Sequence, residues 1–170
     1  MKKLIVMLMV ALLALSAVAF AEPYRSGNIA FEYDEKAFEI SLDDNLDDET
    51  TVVVYGKNEA WGHTYVSFYL KDLNDGEKFP TADELAKNND ATVTEGDWNS
   101  YKNVLMYAVE GDDGMTRSYF VVPVMDDDGH EIDDMLEVQI GVSKIDDEAT
   151  TMERDDAISA VVDSLKLVDD

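Results

Sequence analysis

The 170-residue chain carries 13 lysines and arginines against 38 aspartates and glutamates, two histidines and no cysteine, for a formal net charge of -25. That length fits one domain rather than two, and the missing thiols exclude a disulfide scaffold, a thiolate metal site and a cysteine nucleophile. The charge argues against nucleic acid, whose phosphates need a basic face, and against anionic lipid.

The first element is a targeting segment. Met1-Lys2-Lys3 is a short positive region, Leu4–Leu15 is unbrokenly apolar, and Ala19 and Ala21 give the small-x-small pattern read by signal peptidase. Residues 1–21 are therefore expected to be a signal peptide cleaved after Ala21, with residues 22–170 as a single exported domain. The apolar run falls short of the roughly 20 residues that span a bilayer, so secretion is preferred to a membrane anchor. Cleavage takes two lysines and no acid, leaving 149 residues with 11 basic and 38 acidic groups, a net of -27. Self-repulsion at that charge keeps a domain soluble and monomeric.

Alternation dominates the mature chain. Ile29, Phe31 and Tyr33, then Phe38, Ile40 and Leu42, each point one way against polar neighbours, which predicts two half-buried strands. Asp34-Glu35-Lys36 between them predicts a turn and an N-terminal hairpin. Asp43–Glu49 reads as a solvated acidic loop. Thr50–Tyr55 and Tyr65–Leu70 are β-rich, with turn chemistry from Gly56 to Gly62. Thr81 and Glu84 form a capping box opening a short helix that fades near Asn88-Asn89. Ala91–Thr94 is a candidate short strand. A three-strand meander is expected from Asn103–Glu110, Met115–Met125 and Leu136–Val142, turning at Asp113-Gly114 and Asp126–Gly129. Thr150 with Glu153 predicts a second capping box, and Ile158, Val161, Val162 and Leu165 give one apolar stripe on a closing helix. The fold class is α+β: an antiparallel sheet of about six to eight strands with a short internal helix and a C-terminal helix packed on it.

This element order resembles the PsbP-like fold superfamily, which groups photosystem extrinsic proteins with exported bacterial proteins of unknown role. The likeness is carried by the hairpin NIAFEYDEKAFEI, the helix after Phe79-Pro80, the meander, and the final helix ending Val162-Asp163-Ser164-Leu165-Lys166. It implies a central antiparallel sheet with helices on its faces and a binding or assembly role. No catalytic signature comes with it.

The residues themselves assign no catalytic group. His63 and His130 are the only imidazoles, and neither sits beside a G-x-S-x-G or S-x-x-K nucleophile; exposed loop or edge histidines are the plainer reading. With 38 acids, a pair at a glycosidase spacing arises by chance. Calcium is the one metal worth testing, through Asp126, Asp128, Glu131 and Asp133 in an acid-rich turn. Setting Gly129 at position 6 of an EF-hand loop puts Val124 and Met135 at the end-ligand positions, so a hairpin turn outweighs it. Any calcium site there would be weak, about millimolar as in extracellular modules. Trp61, Trp98 and Tyr101 lie in polar, turn-rich contexts where a ring could stack on a sugar or extended peptide, against the alternative that they cap the core edge. Tyr65, Tyr69, Tyr107 and Tyr119 fit sheet-face packing.

The expectation is a secreted, non-enzymatic binding or assembly domain that needs no cofactor and meets a protein, peptide or glycan outside the cytoplasm through its sheet edge or loops. The alternatives are a weak calcium-responsive extracellular module using the acidic loops and a glycan hydrolase with an unrecognised carboxylate pair.

Overall fold

The computed structural model describes residues 21–46, 49–73, 77–125 and 132–168. They form an α+β fold of two antiparallel sheets and two α-helices. The strands are β1 (Ala21–Ser26), β2 (Ile29–Asp34), β3 (Phe38–Asn45), β4 (Glu49–Gly56), β5 (Thr64–Asp72), β6 (Thr94–Trp98), β7 (Tyr101–Glu110), β8 (Met115–Met125), β9 (Ile132–Ser143) and β10 (Lys166–Leu167); the helices are α1 (Ala82–Asn89) and α2 (Glu148–Asp163). Seven strands make the main sheet, in the order β3-β4-β5-β9-β8-β7-β6, and three make a smaller one, β1-β2-β10.

The inner face of the main sheet is dry. Val52, Val54, Val66, Phe68, Val104, Val122, Leu136 and Val138 are buried on it, against Ile29 and Phe31 of β2 and the Ile158, Val161, Val162 and Leu165 stripe of α2 and its exit. Alternation with period two puts these side chains on one face, and the apolar stripe of α2 closes over them. Phe31 meets Phe68 at 4.8 Å between ring centroids, which joins the two sheets. After α2 the chain returns as β10 beside β2, where Ser164 Oγ accepts from the Glu32 amide at 2.8 Å.

Several local expectations are corrected. The strands at Ile29 and Phe38 form but do not pair: β2 pairs with β1, and β3 pairs with β4. The real first hairpin turns at Gly27-Asn28, where Gly27 takes φ +49 and a Cβ would lie 2.8 Å from both Asn45 Oδ1 and Thr50 Oγ1. Asp34–Ala37 is a turn, closed by the Ala37 amide on the Asp34 carbonyl at 2.9 Å, but it sends the chain from one sheet to the other. Asp43 and Asp44 are not loop residues; they extend β3, paired to Val52 and Thr51. A bulge between Ile40 and Leu42 breaks the alternation there, and Leu42 is left exposed opposite Val53. Ala91–Thr94 contributes only Thr94 to β6. The cap of α2 is Asp147, which accepts from the Thr150 amide at 2.7 Å, so Thr150 lies inside the first turn. The Thr81–Glu84 capping box is formed with both reciprocal bonds.

Arg154 is the one buried charged side chain among the described residues. It donates from Nη1 to the Ser143 carbonyl at 2.8 Å and from Nε to Asp155 at 3.0 Å, tying α2 to the end of β9.

Candidate ligand-binding face

The outer face of the main sheet is built differently. Strand register reads it as rows. One row runs Thr51, Tyr69, Glu137, Val121, Leu105; the next runs Val53, Ser67, Gln139, Tyr119, Tyr107; the third runs Tyr55, Tyr65, Gly141, Arg117, Val109. Directly opposed residues in antiparallel strands share a face, so these fifteen positions lie on one surface. Five of the eight tyrosines are on it.

Helix α1 and its flanks cover one side. Phe79, Ala82, Leu85, Ala91 and Val93 pack on a second cluster of Leu105, Tyr107 and Val121, with Val109, Tyr119 and Met135 at its border. Tyr107 and Tyr119 stack there at 4.6 Å and 7°. Tyr55, Tyr65 and Tyr69 belong to neither apolar cluster. Tyr55 is 38% exposed and Leu42 47%; Tyr65, Ser67, Tyr69, Glu137 and Gln139 are half-buried.

The open side is held rigidly. Gln139 donates to the Tyr65 hydroxyl at 2.8 Å and to the Tyr119 hydroxyl at 3.1 Å. Tyr65 also meets Tyr55 at 5.6 Å. Gly141 makes room for the Tyr65 ring: a Cβ there would lie 2.2 Å from its Cε1. The Arg117 guanidinium is held mainly by Asp113, with the Tyr65 hydroxyl as its second partner. That ion pair draws the Asp113 carboxyl down to about 2.

Glu137 stands at the junction of the covered and open sides. Burial pushes its carboxyl above the usual glutamate range. Burial, then Glu137 and Tyr119, push the Tyr107 phenol up to about 12. Burial and a hydrogen bond to Glu49 push Tyr69 up to about 12, with the charges of Glu49, Glu137 and Glu77 adding to the rise. Burial and the charges of Tyr65 and Glu137 raise Tyr119, which Arg117 partly offsets. Three phenol oxygens therefore lie within the field of one carboxylate.

The residues singled out from the sequence fall elsewhere. Trp61 is 2% exposed, packed against Phe38 at 5.6 Å, and offers no free ring face; its Nε1 is buried without a hydrogen-bond partner among the described residues. Trp98 stacks on Phe120 at 4.5 Å and on Tyr101 at 6.1 Å, which places that indole in an aromatic group at the core margin. Tyr101 borders a 290 Å³ cavity with Val124, Met125 and Leu167. A second cavity, 440 Å³, lies between the β7–β8 turn and α2, lined by Glu110, Ser143, Lys144, Thr151 and Arg154. His63 is exposed, and its amide donates to Ser143 Oγ at 3.1 Å; His130 lies outside the described residues.

Of the calcium candidates, Asp126, Asp128 and Glu131 lie outside the described residues, and Asp133 is exposed. Among the described residues no three His, Cys, Asp or Glu side chains are grouped to hold a metal ion. Asp134 is raised by burial and by the charges of Asp72 and Asp133.

Alternation alone makes the outer-face tyrosines packing residues, which holds for Tyr107 and Tyr119 under α1. It does not carry the register. Gln139 and Gly141 acquire meaning only once Tyr65 and Tyr119 are seen flanking them across the sheet. In comparisons with known proteins, the chain matches no family model, no curated protein and no solved structure.

Proposed function

We propose that this chain is an exported, non-enzymatic binding domain whose contact surface is the open side of the outer sheet face. The observation that carries this reading is the ordered set of Tyr55, Tyr65 and Tyr69 around Gln139 and Glu137, fixed on interior strands and left uncovered by α1. Tyrosines on a rigid scaffold supply large contact area at low entropic cost. A net charge of -25 selects for a basic partner by steering and by complementarity. The occupant proposed is an extended basic polypeptide segment outside the cytoplasm. The resemblance in element order to PsbP-like proteins points to the same general role, although the N-terminal hairpin that carried part of it is not formed.

The test is calorimetric titration of the purified protein with a lysine-rich peptide at physiological and at high salt, beside a Tyr55→Ala/Tyr65→Ala variant. Binding that survives at physiological salt and is lost in the variant supports the reading. Binding that vanishes with salt in both proteins alike is diffuse attraction to an acidic surface and overturns it. For the export half, mature protein beginning at Glu22 is expected; material still beginning at Met1 would remove the assigned address.

A further inference from the structure

We infer that Glu137 is the anchor of this face and that it receives a primary ammonium, the head of a lysine side chain on the bound segment. This rests on the binding-face reading above and adds the chemistry of its centre.

Glu137 is half-buried on an interior strand, opposite Tyr69 on one side and Val121 on the other. A carboxylate withdrawn from water is costly unless something pairs with it. Among the described residues nothing does. Among the described residues, the cations that the sheet strands place on the outer face are committed: Lys71 is bound by Glu77 at 2.8 Å, and Arg117 by Asp113. Gln139, one strand-repeat away, spends its amide hydrogens on Tyr65 and Tyr119. No hydrogen bond or ion pair to the Glu137 side chain forms among the described residues.

The surroundings suit a compact donor. Val121 and Leu105 continue the row on one side under α1, Tyr69 stands directly opposite, and Tyr119 lies one strand-repeat along on the neighbouring strand. An ammonium has three N–H donors at one point and no acceptor. Its hydrogens can bond the carboxylate from a single approach direction, while the lysine stem lies along the neighbouring tyrosine rings. A guanidinium is broader and must bring its rigid planar fork coplanar with both carboxylate oxygens, whereas the ammonium's rotatable donors need only one line of approach between the flanking side chains. The rest of the segment then runs over Tyr65 and Tyr55 toward exposed Leu42.

The experiment uses calorimetry at physiological salt with three ten-residue peptides: alternating lysine and serine, the same peptide with every lysine acetylated, and the arginine analogue. The wild type is compared with Glu137→Gln and with Tyr55→Ala/Tyr65→Ala. The inference expects the lysine peptide to bind wild type, acetylation to abolish binding, the arginine peptide to bind more weakly, and Glu137→Gln to weaken the lysine peptide by about tenfold or more, the worth of one charge-assisted hydrogen bond. Full binding to Glu137→Gln with loss in the tyrosine variant overturns the anchor and leaves the face. Unchanged binding in both variants overturns both. Equal binding of the acetylated or arginine peptide to wild type also overturns the anchor, and needs no variant to fold.

Discussion

The two faces of the seven-stranded sheet are made by the same strands yet behave as different materials. The inner face is filled mainly with valine, leucine, isoleucine and phenylalanine and is roofed by the small sheet and α2. The outer face carries tyrosine, glutamine, glutamate and arginine, and its covering helix α1 buries none of its own residues. Alternation alone makes one face dry and the other wet. A wet face can still be ordered, by cross-strand pairs rather than by exclusion of water.

Deleting one ring from each face separates the two most strongly. Phe68 has no exposed surface and bridges the sheets through Phe31, so Phe68→Ala is expected to cost about 3–5 kcal/mol in denaturant unfolding. Tyr55→Ala on the outer face is expected to stay within about 0.5 kcal/mol, as exposed substitutions do. A comparable loss from Tyr55 would mean that the outer face is core after all.

Next in size is the clamp that seats α2 on the inner face. Arg154→Met keeps most of the unbranched stem and removes the donor to the Ser143 carbonyl. An unsatisfied buried acceptor costs about 1–3 kcal/mol, and the measured midpoint of chemical unfolding should fall accordingly. If it does not, apolar packing of Ile158 and Val161 holds the helix without the clamp.

How much of the molecule is legible in its sequence divides along the same line. The inner face is written in period two by Val52 and Val54 and in period 3.6 by Ile158, Val161 and Val162, because burial on one face is a local demand on spacing. Pairing is not local. Nothing in NIAFEYDEKAFEI reveals that its two strands go to separate sheets, since β2 finds its partners in Tyr24 and, through β10, in Leu167. The cap at Asp147 rather than Thr150 is a choice between two adequate residues, decided by where the chain leaves β9. Trp61 has the polar neighbours of a surface ring and is core. Glu137 reads as one more wet-face acid, and only register sets it among three phenols.

A subtler probe reaches the outer face without touching a tyrosine. Gly141→Ala places a methyl where the Tyr65 ring now lies, so the ring must swing away from the Gln139 amide. The stability cost should be about 1 kcal/mol, the low end for overpacking, because the ring can move. Binding of the lysine peptide should fall with it. A Gly141→Ala protein that binds as before would show that Tyr65 is not part of the contact surface.

The smallest effect, and the most selective, is the response to acid. A carboxyl raised in the folded state contributes stability that is present below its unfolded value and is lost as pH rises through its folded value. Glu137 and Asp134 are both raised by burial, Asp134 further by Asp72 and Asp133. Stability should therefore grow as pH drops from 7 through the folded-state values of these two groups. Easing of the -25 charge pushes the same way. At lower pH the sign turns. Asp113, lowered to about 2 by Arg117, Glu84, lowered by its bonds from Thr81, and Asp147, lowered by its bonds from Thr150, each lose a folded-state advantage as they take a proton. Unfolding midpoints measured from pH 7 to pH 3 should thus rise and then fall. Glu137→Gln should flatten the rise, since an amide has no charge to relieve, whereas Phe68→Ala should lower the whole curve without changing its shape. A Glu137→Gln curve parallel to wild type would move the pH response off the junction of the outer face and onto the acidic surface at large.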